Sequence, residues 1–372
     1  MGRRVSRRVL VARLDGAGDV LLAGPAVRAV ASAPGVEAVL LVGPAGTPAA
    51  RLLPGAAQVL EWSCPWIVNP APEPSPAHLA ALVDMVRAAG TREAVILTSF
   101  HQSPLPLALV LRTAGVHTIT GASTDYAGAL LDQRLRPGED FPEDQPEPER
   151  NLRIAAAAGF RLPAGDDGRL RLGPLPDAGH LAGDDPYVVV HPGTAVPARA
   201  WPALHYAAAV ELLTAAGYRV VVTGGPGEKA LTATVAGVAG LDLGGRTDLA
   251  SLAGVLAGAD AVVVGNTGPA HLAAAVGTPV VSLFAPVVPA VRWAPYRVPL
   301  ELLGDQQGPC RLSRARTCPV PGHPCLSGVA PEQVVEAVQR LVRGVPSLGT
   351  RRETRHGGLP AHVSGHRRAG KP

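Results

Sequence analysis

The 372-residue chain is long enough for two cores, and 47% apolar against 17% charged residues is a folded globular composition, which excludes a disordered or fibrous chain. Only 3% of residues are aromatic, so Val, Leu, Ile and Ala must build the interior, and a nucleic-acid binder that stacks bases on aromatic platforms is disfavoured. The formal charge of +4 conceals an acidic body: the first eight residues carry +4 and the stretch from Arg351 onward +5, leaving about −5 between them.

The basic arm 1–8 and a basic tail over 345–372 read as solvated and disordered, with contact to an anionic membrane surface as the alternative. Ser6-Arg7-Arg8-Val9-Leu10 imitates an export signal and Met1-Gly2 with Ser6 a myristoylation site. Arg13, Asp15 and Asp19 interrupt the apolar region that export would need. No run reads as a membrane span. Cys64, Cys310, Cys318 and Cys325 are too few for a disulfide scaffold in a chain this long, which fits a reducing, cytoplasmic compartment.

Short β-branched runs alternate with Ala/Leu helices, the pattern of parallel sheets covered on both faces. Val9–Leu14 is a strand, followed by a Gly-rich turn and a helix over Val20–Ala31; Val39–Val42 is the second strand. Ser75-Pro76 opens a helix that Gly90 closes, and Ala94–Thr98 and Val116–Thr120 are further strands. Pro137–Glu149, rich in Pro and acid, reads as an exposed loop, and Asn151–Gly159 as a short helix. These elements make a first domain over 9–161, and 162–186 reads as a linker. The rhythm then restarts over 187–344: strands at Tyr187–Val190, Tyr218–Thr223, Asp260–Val264 and Pro279–Phe284, and helices at Pro202–Ala216, Asp248–Ala257, from Gly268, and at Pro331–Val342.

Ligands of open parallel sheets sit beyond the carboxyl ends of the strands, so the candidates are the residues just after them. Asp15-Gly16-Ala17-Gly18-Asp19 follows the first strand. Gly16 and Gly18 let the backbone turn tightly near a ligand, but a dinucleotide fingerprint would need a third Gly, and no Walker A pattern exists. A carboxylate here is either a helix cap or a general base held in a cleft. His191-Pro192-Gly193-Thr194, with Arg199 and Trp201, offers a hydroxyl and a guanidinium suited to phosphate. Gly265-Asn266-Thr267-Gly268-Pro269-Ala270-His271 runs from a strand into a helix start, where outward amides and the helix dipole favour an anion. Glu228 either accepts ribose hydroxyls or serves the first turn of its helix. Cys310, Cys318, Cys325 and His323 lack the close pairs of a zinc site, so no metal is expected.

Taken together, from about Val9 to Val342, these segments resemble glycosyltransferase family 9, the ADP-heptose:lipopolysaccharide heptosyltransferase family. His191–Trp201 and Thr267-Gly268-Pro269-Ala270-His271-Leu272 carry the resemblance best, and Cys318–Cys325 also fits it. It implies a GT-B fold of two Rossmann-like domains, acceptor side first. It also implies inverting, metal-independent transfer of a sugar from a nucleotide diphosphate, ADP-linked in the family, to a glycan or glycolipid hydroxyl. No cofactor beyond that co-substrate is implied, and peripheral contact with the inner membrane surface fits a lipid-linked acceptor. By motif position Asp19 corresponds to the general base, Thr194 and Arg199 to donor-phosphate contacts and Glu228 to a ribose contact. Thr247 falls near the base-binding loop, and Thr267, Gly268, Pro269 and His271 in the diphosphate turn. Asn266 stands where relatives often carry Asp, which removes a charge and adds a donor. A sugar-nucleotide epimerase of the same fold and a non-catalytic nucleotide-sugar binder are the competing readings.

Overall fold

Twelve strands form two six-stranded sheets in the computed structural model, which describes residues 7–344. The first holds β1 (Arg7–Arg13), β2 (Val36–Val42), β3 (Ala56–Glu61), β4 (Glu93–Ile96), β5 (Thr118–Ala122) and β6 (Gln133–Leu135). The second holds β7 (Val188–His191), β8 (Val220–Val222), β9 (Leu241–Asp242), β10 (Ala261–Gly265), β11 (Val280–Leu283) and β12 (Leu300–Leu303). The orders are β3-β2-β1-β4-β5-β6 and β12-β11-β10-β7-β8-β9, and every pairing is parallel. Both follow one doubly wound plan, whose order reverses between β1 and β4 and again between β7 and β10.

The central strands need no polar alternation because both faces are covered: β4, β7 and β10 are buried throughout. Each fully buried Val or Leu in such a strand contributes about 1.5–3 kcal/mol. The helices of eight residues or more are α1 (Ala17–Ala31), α2 (Pro76–Ala89), α3 (Leu105–Thr113), α4 (Glu147–Ala157), α5 (Ala203–Ala215), α6 (Lys229–Ala236), α7 (Leu249–Gly258), α8 (Gly268–Val276) and α9 (Pro331–Gly344). Ser75 caps α2 by accepting from the His78 amide at 3.2 Å, and Gly90 ends it with φ 68°. Asp248 caps α7 by accepting from the Ser251 amide at 2.7 Å. Among the described residues no helix is long and apolar enough to cross a membrane.

Two expectations change. β1 begins at Arg7: Arg7 Nε donates to Glu93 Oε2 at 2.8 Å and Arg8 Nε to Glu37 Oε2 at 3.0 Å, so these arginines belong to the sheet. The rest of the arm and the tail 345–372 lie outside the described residues. Pro137–Glu149 is not simply an exposed loop, because Phe141, Gln145 and Glu147 are buried and α4 already starts at Glu147. The Pro and acid residues that resembled a loop are those of a helix start: Pro148 fits the first turn, and Glu147 and Glu149 complement the dipole. β3, β6, β9, β12 and α3 were not anticipated, and α6 was expected only as the helix that follows Glu228.

The halves meet through α1 and α8. Leu22 from α1, Leu170 from the connecting stretch, and Ala274, Ala275 and Tyr296 from the second half share one buried cluster. The connecting stretch is also tied to α1, where Arg28 Nε and Nη2 donate to the Asp166 carboxylate at 2.8 and 3.0 Å.

Candidate active site

The two reversal points face each other. The β1–α1 turn lies against the start of α8 so closely that a Cβ on Gly18 would stand 2.9 Å from His271 Cδ2 and 3.2 Å from Gly268 Cα. Only glycine at 18 permits this approach.

Arg13, the last residue of β1, is 0% exposed and organises the first-half side of this junction. Its Nε pairs with Asp15 Oδ2 at 2.8 Å and its Nη1 with Glu147 Oε2 at 3.3 Å. Its Nη2 donates to Asp19 Oδ1 and to Ser99 Oγ, each at 2.8 Å. Burial alone would lower the Arg13 pKa, but Asp15, Asp19 and Glu147 together outweigh it and hold the guanidinium charged. Burial raises the pKa of Asp15 against the opposing pull of Arg13, and it does the same to Glu147. Gln102 donates its side-chain amide to Asp15 Oδ1.

Asp19 is held at one oxygen. Besides Arg13, Trp293 Nε1 from the second half donates to Oδ1 at 3.4 Å. No hydrogen bond is recorded at Oδ2 among the described residues, and the side chain is 29% exposed. A partly exposed carboxylate with one oxygen fixed and the other free is arranged to accept a proton. As the residue in the first turn of α1 it also complements the helix dipole, and it makes no side-chain capping bond.

Across the junction, Arg199 is half-buried, and its Nη1 donates to the Asn266 carbonyl at 3.3 Å while its buried Nε has no partner. Burial lowers the Arg199 pKa; Asp19 opposes this and Arg316 adds to it. Asn266 Oδ1 accepts from the Ala285 amide at 3.4 Å, and Nδ2 is buried without a partner. Thr267 precedes α8 in extended conformation (φ −145°) and does not cap it through its side chain. The Thr267 amide donates to Gly265 O at 2.9 Å, the Ala270 amide to Thr267 O at 3.0 Å, and Pro269 has no N–H, so the Gly268 amide is the one left for a ligand among the described residues. His271 is buried with an unpartnered Nδ1; burial holds its pKa down to about 4, with Asp19 raising it and Arg199 lowering it. The imidazole is therefore neutral at pH 7.

The remaining positions form the flank. Thr194 Oγ1 accepts from the Val196 amide at 3.2 Å, shaping the loop that leads to Arg199. Glu228 Oε2 accepts from the Gly225 amide at 2.7 Å, and its carboxylate lies over Gly193, where a Cβ would overlap it. The neighbouring Lys229 is exposed, and Gly245 N donates to Gly224 O at 2.8 Å. That bond brings the Thr247 turn beside the Glu228 turn. Gly16 has open space around its α-carbon and does not take part in the close approach.

Sequence reading missed Arg13, Ser99, Gln102, Glu147 and Trp293. Arg13 left one signal: a charged residue closing an otherwise apolar strand core needs buried partners. On the open side, Phe100, His101, Gln102, Ser123, Asp125 and Arg150 help line a cleft of about 270 Å³ beyond β4 and β5. Cys310, Cys318 and Cys325 are free thiols, and among the described residues no three His, Cys, Asp or Glu side chains are grouped to hold a metal.

The family model of glycosyltransferase family 9 (heptosyltransferase) matches residues 101–323, more than half of the chain. The chain belongs to glycosyltransferase family 9. The family 9 match takes in Arg199, Glu228 and the turn at Gly268, while Asp19 precedes it. Lipopolysaccharide heptosyltransferase 1 of Pseudomonas aeruginosa is 31% identical over 226 residues, which cover 58% of this chain and 61% of that protein, less than two thirds of its length. The structure of Escherichia coli ADP-heptose lipopolysaccharide heptosyltransferase II is similar with TM-score 0.70 at 19% identity, covering 91% of this chain and 99% of that one. An E. coli heptosyltransferase solved with ADP is similar with TM-score 0.64 at 20% identity, over 90% of this chain and 99% of that one. The two doubly wound sheets thus form the GT-B fold of heptosyltransferase structures.

Proposed function

We propose that the protein is an inverting, metal-independent glycosyltransferase that moves a heptose or related sugar from an ADP-linked donor to a hydroxyl of a glycan or glycolipid. The observation that carries this reading is the contact between Gly18 and Gly268, which sets a carboxylate with a free oxygen against an arginine and the Gly268 end of α8. Family membership and the neighbour solved with ADP support the donor class.

In this reading the acceptor enters from the cleft beyond β4 and β5. Asp19 Oδ2 takes the proton of the acceptor hydroxyl as that oxygen forms its bond to the anomeric carbon. The bond from the anomeric carbon to the phosphate oxygen breaks, and its electron pair leaves with the diphosphate. Arg13 holds Asp19 in orientation. Arg199 and the Gly268 amide at the start of α8 receive the growing negative charge; one preorganised donor of this kind contributes about 3–4 kcal/mol to the transition state. Two guanidinium and helix-dipole partners supply what a divalent cation supplies elsewhere, so chelators leave the rate unchanged. Thr194 and Glu228 hold phosphate and ribose, Thr247 lies near the base, and neutral His271 offers its Nδ1 to the donor. The domain division at 162–186 and a cytoplasmic location, with peripheral membrane contact at a lipid-linked acceptor, belong to the same reading.

Calorimetry with a panel of nucleotides and sugar nucleotides, without added metal, tests it. Wild type binds an adenosine diphosphate species and Arg199→Ala loses most of that affinity. Asp19→Asn keeps donor affinity while kcat falls about 10²–10⁴-fold. Absence of binding across the panel, or normal turnover in Asp19→Asn, would sink the assignment.

A further inference from the structure

The segment from Gln306 to Pro331 contains no carboxylate and three arginines, Arg311, Arg314 and Arg316. It starts and ends in the core of the second half: Cys310 and Cys325 are free thiols buried in one cluster. Between these anchors the backbone is fixed at three further points. Leu312 N donates to Pro286 O at 2.9 Å, Arg314 N to Val287 O at 2.8 Å, and Ala198 N to Arg316 O at 2.9 Å. The last bond fastens Arg316 to the turn that carries Arg199. Leu312 and Arg314 take left-handed φ of 62° and 57°, a conformation such side chains adopt only when the surroundings impose it.

The side chains alternate. Ala315 packs on the core, while Arg314 and Arg316 point away from it, exposed and without an ion pair among the described residues. After burial, the Arg316 charge helps to lower the pKa of Arg199, and the Arg314 charge that of His101. With Arg316 bonded through its carbonyl to the neighbour of Arg199, the two side chains spring from joined backbone, and the buried Nε of Arg199 has no partner, so an anion bound there can be met by both guanidiniums. Asn266, neutral and next to Arg199, does not supply that charge.

We propose that Arg316, presented by the cysteine-anchored loop, is a second phosphate-contacting residue that clamps a nucleoside diphosphate together with Arg199 and the start of α8. The inference rests on the donor-site reading above. The ligand class follows from the charge count: a diphosphate can meet both guanidiniums and the Gly268 amide at once, whereas a monophosphate reaches fewer of them.

Calorimetry on the full chain with ADP and with AMP, without added metal, tests the proposal. Arg316→Gln is expected to weaken ADP binding about ten-fold or more, and AMP binding less. Arg316→Lys recovers part of the loss, because it restores the charge but not the fork. Arg311→Gln, on the same loop, binds ADP as wild type does, and thermal unfolding of all three variants is unchanged. Wild-type ADP affinity in Arg316→Gln, or an equal loss in Arg311→Gln, would overturn the clamp. If Arg199→Ala weakens ADP binding and Arg316→Gln does not, the clamp fails and the donor site stands; if wild type binds neither nucleotide, both fall.

Discussion

Arg13 and Asp19 meet across the first β–α turn, Nη2 to Oδ1 at 2.8 Å, and the same guanidinium holds Asp15 and Glu147. One cation therefore pairs with three carboxylates taken from two separate stretches of chain. Replacing it exposes the cost of burying them: Arg13→Met should destabilise the fold by about 3–5 kcal/mol at neutral pH. Arg13→Lys should lose less stability but still lower kcat, since a single ammonium cannot hold Asp19, Asp15 and Glu147 in the same geometry. Urea midpoints and steady-state rates on the two variants separate the effects, and a neutral outcome for Arg13→Met would show the carboxylates to be satisfied by other means.

Gly18 and Gly16 make a matched pair. A methyl at 18 meets the Gly268 backbone and the His271 ring, and backbone does not yield as a flexible side chain does. Gly18→Ala should cost about 1–3 kcal/mol and depress kcat/KM by separating Asp19 from α8. Gly16, at φ −74° with nothing near its α-carbon, should accept Ala with little change in Tm. Equal behaviour of the two variants would contradict the close approach.

His271 is kept neutral by burial, with its pKa down at about 4 against an ordinary 6.5. The sign follows from proton counts: between those values the unfolded chain binds a proton that the folded one refuses, so stability falls as pH drops from 6.5 toward 4. His191, held down to about 4 by burial with Glu228 opposing, adds to the same slope. NMR titration should find both imidazoles neutral at pH 6, and His271→Gln should flatten part of the stability profile in that window. A His271 transition near 6.5 would show that the ring is solvated.

Asp166 gives a slope of the same sign at lower pH, through a charged rather than a neutral folded form. The Arg28 side chain, with the Gly168 amide, holds it down to about 2 from an ordinary 3.8. Its folded form refuses a proton that the unfolded form takes up. The contribution is therefore complete above the ordinary value and disappears as pH falls toward 2. Asp166→Asn should cost about 2 kcal/mol at pH 7 and almost nothing at pH 2, as read from denaturant midpoints at the two pH values.

The parallel architecture was legible because continuous Val runs between Ala/Leu helices leave few other solutions. The residues ending at Gly18, Arg199 and Gly268 were legible for a related reason: glycine, arginine and a polar turn after a strand are local features. What stayed hidden was long-range pairing. Glu147 lies 134 positions from Arg13, and nothing within Gln145–Glu149 distinguishes a solvated acid from a buried one. Short edge strands such as Gln133–Leu135 and Leu300–Leu303 escaped because a strand defined by its neighbour carries little periodicity of its own. Trp293 escaped because its meeting with Asp19 depends on how the two halves dock.

The chain has two lysines, and Lys229 is the one among the described residues, exposed beside Glu228 at the rim of the second half. Arginine performs every other cationic task described above. Amine-directed reagents thus have one side-chain target among the described residues, and a fluorophore or spin label coupled there, with Lys371 replaced and the terminal α-amino group blocked, would report on the second half from a single defined position without any cysteine engineering.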